Sequence, residues 1–205
     1  MPSYKTIKAV AKGEYKEMKS KFLSFAYPIS SPEQVKGLVD TLKAEYFDAR
    51  HHCFAWRLDE SAVENDKNIA LCRTNDDREP NNTAGVPILS AIDSNELKNI
   101  LIVVVRYFGG IKLGASNLAK AYRYAAQDAI DNSEIITQTP QAKITFSFDF
   151  SVMGAVNKFL KDNNFTKENY TYVSANSIEL VFDKDLSEQM LAKLNAIYGI
   201  NILNE

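Results

Sequence analysis

"ILIVVVRYFGGIKLGASNLAKAYRYAAQDAI", residues 100–130, decides how this chain folds. Ile100 to Val105 are six apolar residues without alternation. A strand buried on both faces gives that pattern, so Asn99–Phe108 is predicted to lie centrally in a sheet. Gly109, Gly110 and Gly114 then fall within six residues. Beyond them Leu118, Ala121, Tyr122, Ala125 and Ala129 recur at helical spacing, which predicts a helix over 113–131. The glycine segment is therefore a strand-to-helix connection. It is not a Walker A loop, because Ala115 stands where the lysine is needed, and it is not Gly-x-Gly-x-x-Gly. Two readings stay open. It is a tight turn, or it is an anion cradle in which glycine amides and a helix N-terminus face a phosphate. Arg106 and Lys112 would add positive charge to the second.

Working outward, Phe22–Ile29 reads as a strand. Ser31-Pro32-Glu33-Gln34 reads as a helix start, with Ser31 as cap and Val35, Leu38, Val39 and Leu42 on one face. His51–Leu58 and Ile69–Thr74 read as two strands joined by a polar hairpin connection over 59–67. Asn75–Asn82 is a charged turn, and Thr83 is the expected cap of a helix over 84–92. Ser133–Gln141 holds no long apolar run and contains Pro140, so a linker is expected there. The remainder reads β-α-β-β-α-β, the ferredoxin-like order. The expected domains are 1–135 and 140–205.

Composition bounds the function. At 205 residues, 45% hydrophobic and net charge −2, the chain reads as a globular protein of one large or two small domains and not as a strongly basic nucleic-acid binder. Up to residue 135 there are 18 basic and 18 acidic residues, so the charge excess sits in the C-terminal part. No run of about 18 apolar residues and no signal core is present. Cys53 and Cys72 are too few for a disulfide framework, and a cytoplasmic location follows. Lys5, Lys8, Lys12, Lys16, Lys19 and Lys21 crowd the first stretch, as a solvated edge or as a phosphate-touching arm.

Three further stretches carry chemistry. In "DARHHCFAW", 48–56, His51 and His52 point to opposite faces of a strand and cannot easily share a metal, whereas His51 and Cys53 share a face. In "TNDDREPNNTAGVP", 74–87, Asp76, Asp77 and Glu79 suit turn chemistry, an ion pair with Arg106 or Lys112, or acid–base and cation roles. Lys120, Arg123 and Gln127 share an exposed helix face, which is solvated or widens a basic patch. No metal and no cofactor is expected.

The blocks "DARHHCFAW", "EPNNTAGVP" and "VVVRYFGGIKLGASNLAKAY" in this order resemble the signature of the IMPACT family, and the two-part layout resembles its bacterial YigZ-like branch. The resemblance implies an α+β protein with an N-terminal ribosomal protein S5 domain 2-like α/β fold and a ferredoxin-like C-terminal domain. It implies association with translation or RNA. Eukaryotic members regulate translation by binding a kinase-activating protein. No enzymatic reaction is implied. Asp77-Arg78-Glu79-Pro80 stands where the family has Asp-Gly-Glu-Pro, Asn82 and Asn117 replace glycines, and Lys120 replaces an arginine. The expected function is a non-enzymatic, translation-associated protein that meets RNA or the ribosome. Its binding cleft is expected to hold His51, His52, Asp77, Glu79, Thr83, Arg106, Tyr107, Gly109, Gly110, Lys112, Gly114 and Lys120. The alternatives are an enzyme on a small phosphorylated or peptide substrate, with Asp77 or Glu79 and His51 as its acid–base pair, and a protein-interaction adaptor acting through the ferredoxin-like sheet.

Overall fold

The computed structural model describes residues 3–59 and 71–204. Its contacts divide the chain into one compact unit over Tyr4–Gln138 and a second that begins at Thr139.

In the first unit, β2 (Ala11–Glu17), β3 (Ser20–Pro28), β4 (His51–Arg57), β5 (Cys72–Asn75) and β6 (Ile100–Tyr107) form an antiparallel sheet in the order β2-β3-β6-β4-β5. The apolar run of β6 is thus the middle strand, and every residue from Ile100 to Arg106 is buried. Pleating divides it between two cores. Ile100, Ile102 and Val104 pack with Phe22, Cys53 and Ala55 under α2 (Gly85–Ser94) and α3 (Ala115–Asp131). Leu101, Val103 and Val105 pack with Phe25 and Trp56 under α1 (Glu33–Glu45). Among the described residues of this unit, one face therefore carries two helices and the other carries one.

The ends of the unit differ from the sequence reading. The segment read as a linker contains β7 (Ile135–Gln138), which pairs antiparallel with β1 (Tyr4–Ile7). The lysine-rich stretch is a solvated edge, as one of its two readings has it, and it is built of strands. It supplies β1 and β2, and after the buried Ala11 β2 alternates exposed and half-buried positions in the way an edge strand does. Both were hidden because a lone two-stranded pairing has no apolar run, and because β2 spends its outward positions on Lys12, Glu14 and Lys16. Lys16 and Lys21 both pair with Glu14, at 2.6 and 2.9 Å.

Helix starts also differ. Ser31 does not cap α1, which begins after Pro32. Gln34 instead closes back on Ser30, accepting from its amide at 2.8 Å and donating to its hydroxyl at 3.2 Å. Thr83 does not cap α2, since its hydroxyl donates to the Pro80 carbonyl at 2.6 Å. The carboxylate of Asp76 takes that role from the preceding turn, accepting from the amides of Ala84 (3.0 Å) and Gly85 (2.8 Å). The hairpin connection read over 59–67 lies, apart from Asp59, outside the described residues.

The second unit contains β8 (Gln141–Phe148), α4 (Met153–Asp162), β9 (Tyr170–Ser174), β10 (Ser177–Asp183), α5 (Ser187–Asn195) and β11 (Ile200–Asn204). Its antiparallel sheet runs β11-β8-β10-β9, the ferredoxin-like order. Ile144, Phe146, Phe148, Ile178 and Leu180 on the sheet pack against Val156, Phe159, Leu160, Met190 and Leu194 on the helices. Among the described residues, no helix is long and apolar enough to cross a membrane.

Gly109 is fixed by packing and not by its backbone φ. A Cβ on Gly109 would overlap the Lys19 carbonyl and the Ser20 amide in the β2–β3 turn. Its own amide donates to Ser20 Oγ at 3.2 Å, so the end of β6 is held against that turn. Gly109→Ala is expected to cost about 1–3 kcal/mol through this overlap, read as a lower urea midpoint. Gly37→Ala, where a Cβ meets nothing within 4 Å, is the matched control in α1.

Candidate functional site

The three motif blocks meet at the C-terminal end of β6, on the α2/α3 face. Register places His51 beside Arg106, because β4 and β6 run antiparallel. Cys53 lies one pleat further along the same face. The turn over 76–82 leaves β5 and passes above them.

Glu79 is the hub. Its Oε1 accepts from Arg106 Nη1 at 2.6 Å and from the Tyr122 hydroxyl at 2.8 Å. The two charged side chains are only 6% and 5% exposed. A buried ion pair must offset the loss of hydration of both partners. Here the tyrosine adds a further bond to the carboxylate. The guanidinium carbon also lies 5.3 Å from the Phe22 ring centroid and 5.5 Å from that of Phe108, so two aromatic faces support the cation. The Tyr122 oxygen lies 3.3 Å from the Cys53 sulfur, whose thiol also meets the Asp76 carbonyl at 3.0 Å. Burial pushes both the Cys53 thiol and the Tyr122 phenol far up, so both stay protonated. Cys53 is therefore a packed thiol and not a nucleophile.

His51 sits at the mouth of this cluster. Its Nδ1 is 2.9 Å from the Asp77 carbonyl. A carbonyl only accepts, so Nδ1 carries the hydrogen and Nε2 of the neutral ring is the free acceptor. Nε2 lies 3.9 Å from Glu79 Oε1.

The acidic turn is built by its own side chains. Asn75 Oδ1 accepts from the Asp77 amide at 2.7 Å, and Asp76 Oδ2 from the Asn82 amide at 2.9 Å. Asp77 Oδ2 accepts from the His52 amide at 2.7 Å, continuing the β4 ladder where β5 has ended. Asp76 and Asp77 are thus spent on capping and clamping. The described residues contain no cluster of three or more metal-ligating side chains.

The expected cleft residues divide into three groups. His51, Asp77, Glu79 and Arg106 come together, with Thr83 in the turn beside them. His52 and Tyr107 lie on the α1 face instead. Tyr107 donates to Asp48 Oδ1 at 2.8 Å, and His52 is buried beside Asp77. Gly110, Lys112 and Gly114 form an exposed loop ahead of α3, and Lys120 is exposed on α3 itself. Arg106 does not share that surface, because it is buried and occupied by Glu79. Sequence reasoning passed over Tyr122 because it sits among the alanines of an apolar helix face. It passed over Phe108 because that residue reads as the last apolar position of the strand over 99–108.

Two outcomes follow from this geometry. Glu79→Ala would leave Arg106 buried without its counter-charge and is expected to cost about 3–5 kcal/mol in a urea unfolding curve. Glu79→Gln, which keeps an acceptor, should cost less. The second concerns His52, whose imidazole is held below its ordinary value by burial, with Asp77 opposing. A base with a depressed folded pKa binds fewer protons folded than unfolded. Stability is therefore expected to fall as pH drops below about 6.5, until the folded ring itself titrates. His52→Gln should flatten that part of a midpoint-against-pH curve.

Residues 18–130 match the Impact N-terminal domain. The IMPACT family member YvyE of Bacillus subtilis (strain 168) is 29% identical over 170 residues, which span 83% of this chain and 75% of that protein. The IMPACT family member YigZ of Escherichia coli (strain K12) is 32% identical over 142 residues, 69% of this chain and 67% of that protein. A crystal structure of a hypothetical protein, 26% identical, superimposes with a TM-score of 0.70 and covers 100% of this chain and 98% of its own. The domain match spans more than half of the sequence and contains all three motif blocks, so the chain belongs to the IMPACT family.

Proposed function

We propose that this protein is a translation-associated RNA-binding protein, and that the loop 109–114 with the start of α3 meets the RNA backbone. The observation that carries this is a conjunction at one place: an uncapped helix N-terminus, a flanking lysine and an exposed aromatic ring. Helix α3 is 17 residues long, begins after Gly114, has no side-chain cap and has no acidic residue in its first turn. Its first intrahelical bond is Leu118 to the Gly114 carbonyl, so the amides of Ala115, Ser116 and Asn117 lie ahead of it. Such an end carries partial positive charge. Gly110 and Gly114 hold φ of 83° and 76°, and a Cβ on either would meet nothing within 4 Å. Backbone sign, not crowding, asks for glycine there, and the space beside these amides is open.

Lys112 is exposed and makes no ion pair among the described residues. Phe108 and Ile111 are each 45% exposed on the same loop. A base stacks on such a ring while lysine and amides hold phosphate. Arg106 supports this surface from below by carrying the Phe108 ring. Lys120, Arg123 and Tyr124 line a surface depression of about 430 Å³ further along α3 and extend the basic track. The translation link rests on the family resemblance.

One observation favours a second reading, acid–base catalysis. His51 Nε2 is left as an acceptor 3.9 Å from a carboxylate, a gap that a substrate hydroxyl would bridge. That carboxylate is already held by Arg106 and Tyr122, which favours a supporting role for Glu79.

Binding is read by fluorescence anisotropy of a labelled single-stranded RNA and by co-sedimentation with ribosomes, at low and high salt. Lys112→Ala is expected to weaken both and to lower the slope of log K against log salt by about 0.7. Phe108→Ala is expected to remove about 1–3 kcal/mol of binding. If the wild type binds neither RNA nor ribosomes at any salt, or if both variants bind as the wild type does, the reading is wrong.

A further inference from the structure

The turn between β2 and β3 is strained, and nothing in the fold asks for the residues it holds. Glu17 pairs with Ser20, so Met18 and Lys19 form a two-residue hairpin loop. Their φ angles are 42° and 66°. Positive φ at both central positions is the type I′ turn, which Asn-Gly fits best. Methionine and lysine lack the short polar side chain that eases this conformation for asparagine. Packing does not offset the strain. Met18 is 49% exposed and belongs to neither hydrophobic cluster of its unit. Lys19 is exposed, and its side chain makes no hydrogen bond or ion pair among the described residues.

Lys19 is thereby set apart from the other lysines of the first stretch. Lys5 and Lys8 pair with Glu96 and Glu134, at 2.7 and 2.9 Å. Lys16 and Lys21 share Glu14, and Lys12 lies 5.5 Å from the Phe25 ring centroid. Of these six lysines, only Lys19 stands without a partner among the described residues. The turn also abuts the glycine loop. Lys21 pairs with Tyr107, so the ladder brings the turn level with Phe108 and Gly109. The Ser20 hydroxyl, which accepts from the Gly109 amide, joins the two. Met18, Phe108 and Ile111, each about half exposed, therefore gather with Lys19 and Lys112 on two adjoining loop tips.

Strain kept at an exposed position without a packing reason points to use of the side chains that it presents. We propose that Met18 and Lys19 are binding residues, and that the two tips together take unpaired nucleotides of RNA. Lys19 holds a phosphate, and Met18 packs against a base neighbouring the one on Phe108. An unbranched, polarizable thioether adapts to any base face, so this contact favours no sequence. Unpaired nucleotides fit because a duplex keeps its bases stacked on one another, in a major groove too narrow for side chains to read. The inference rests on the RNA reading of the glycine loop and names the form of RNA which that surface takes.

The test uses the full chain, a labelled 12-nucleotide single strand and the duplex of that strand with its complement, followed by anisotropy. The wild type is expected to bind the single strand more tightly than the duplex by about tenfold or more. Met18→Asn/Lys19→Gly should raise the thermal unfolding midpoint by about 2–4 °C, by relieving the turn, and weaken single-strand binding by about tenfold or more. A raised midpoint shows that the loss is not unfolding. Lys19→Gln alone should lower the slope of log K against log salt by about 0.7, whereas Met18→Asn alone should weaken binding with the slope unchanged. The proposal is overturned if the duplex binds as tightly as the single strand, or if the double variant has a lower midpoint. It is also overturned if that variant loses binding to phosphatidylglycerol vesicles and not to RNA. A wild type that binds no RNA overturns it together with the reading of the glycine loop. If Lys112→Ala weakens single-strand binding and the double variant does not, this proposal alone is overturned.

Discussion

The ion pair between Glu79 and Arg106 holds the three motif blocks in one place. Each partner comes from a different part of the chain. Arg106 ends the central strand, Glu79 sits in the turn after an edge strand, and Tyr122, which shares the carboxylate, lies mid-helix in α3. Hydrophobic burial would bring sheet and helices together without them, since it has no direction. It would not fix where the turn at 76–82 rests. A buried carboxylate with two donors has a single satisfactory position, and that position sets the turn. From the turn follow the Asp76 cap of α2 and the Asp77 clamp on β4. On the other side, the same guanidinium holds Phe108 and so orients the glycine loop.

The glycine loop is shaped by two different demands. Gly109 is small because the β2–β3 turn presses against it. Gly110 and Gly114 are glycine because their φ is positive. The opening alternatives, tight turn and anion cradle, therefore describe different residues of one segment. Its first glycine serves packing, and its later ones serve a backbone path that leaves amides facing out.

The sequence was most legible where one residue pattern has one physical cause. The unbroken apolar run of β6 implied a central strand, and the ferredoxin-like order of the second unit followed from its alternating periods. The pairing of Glu79 with Arg106 was one of several open readings, because spacing along a chain does not determine which carboxylate faces which cation. Less legible were elements stabilised by a partner distant in sequence. Strand β7 exists because β1 lies beside it, and no local feature of Ile135–Gln138 announces that. Capping by Asp76 was hidden for the same reason. The cap stands eight and nine residues ahead of the amides it serves, whereas a helix start is sought in the three residues before it. His52 and Tyr107 were placed with the cleft because they adjoin cleft residues in sequence. In a pleated strand, adjacency puts them on the opposite face.

The departures from the family pattern differ in the backbone each of them occupies. Arg78, where the family has glycine, holds φ of 71°, a region that costs an L-residue about 1–2 kcal/mol. Its guanidinium donates to the Arg50 carbonyl at 2.8 Å, tying the turn to the start of β4 and offsetting part of that cost. Asn82, at φ of 63°, is the residue type that best tolerates the conformation. Asn117 needs no such tolerance, because it lies in the first turn of α3 and donates to the Leu113 carbonyl at 3.2 Å. That bond turns the Asn117 side chain back toward the loop. The helix amides are left uncovered where a capping aspartate would have hidden them. The substitutions thus fall on both sides of the Glu79–Arg106 pair without touching it. The turn is free to differ in how it reaches Glu79, and the loop in what it presents, provided that the carboxylate arrives at the guanidinium.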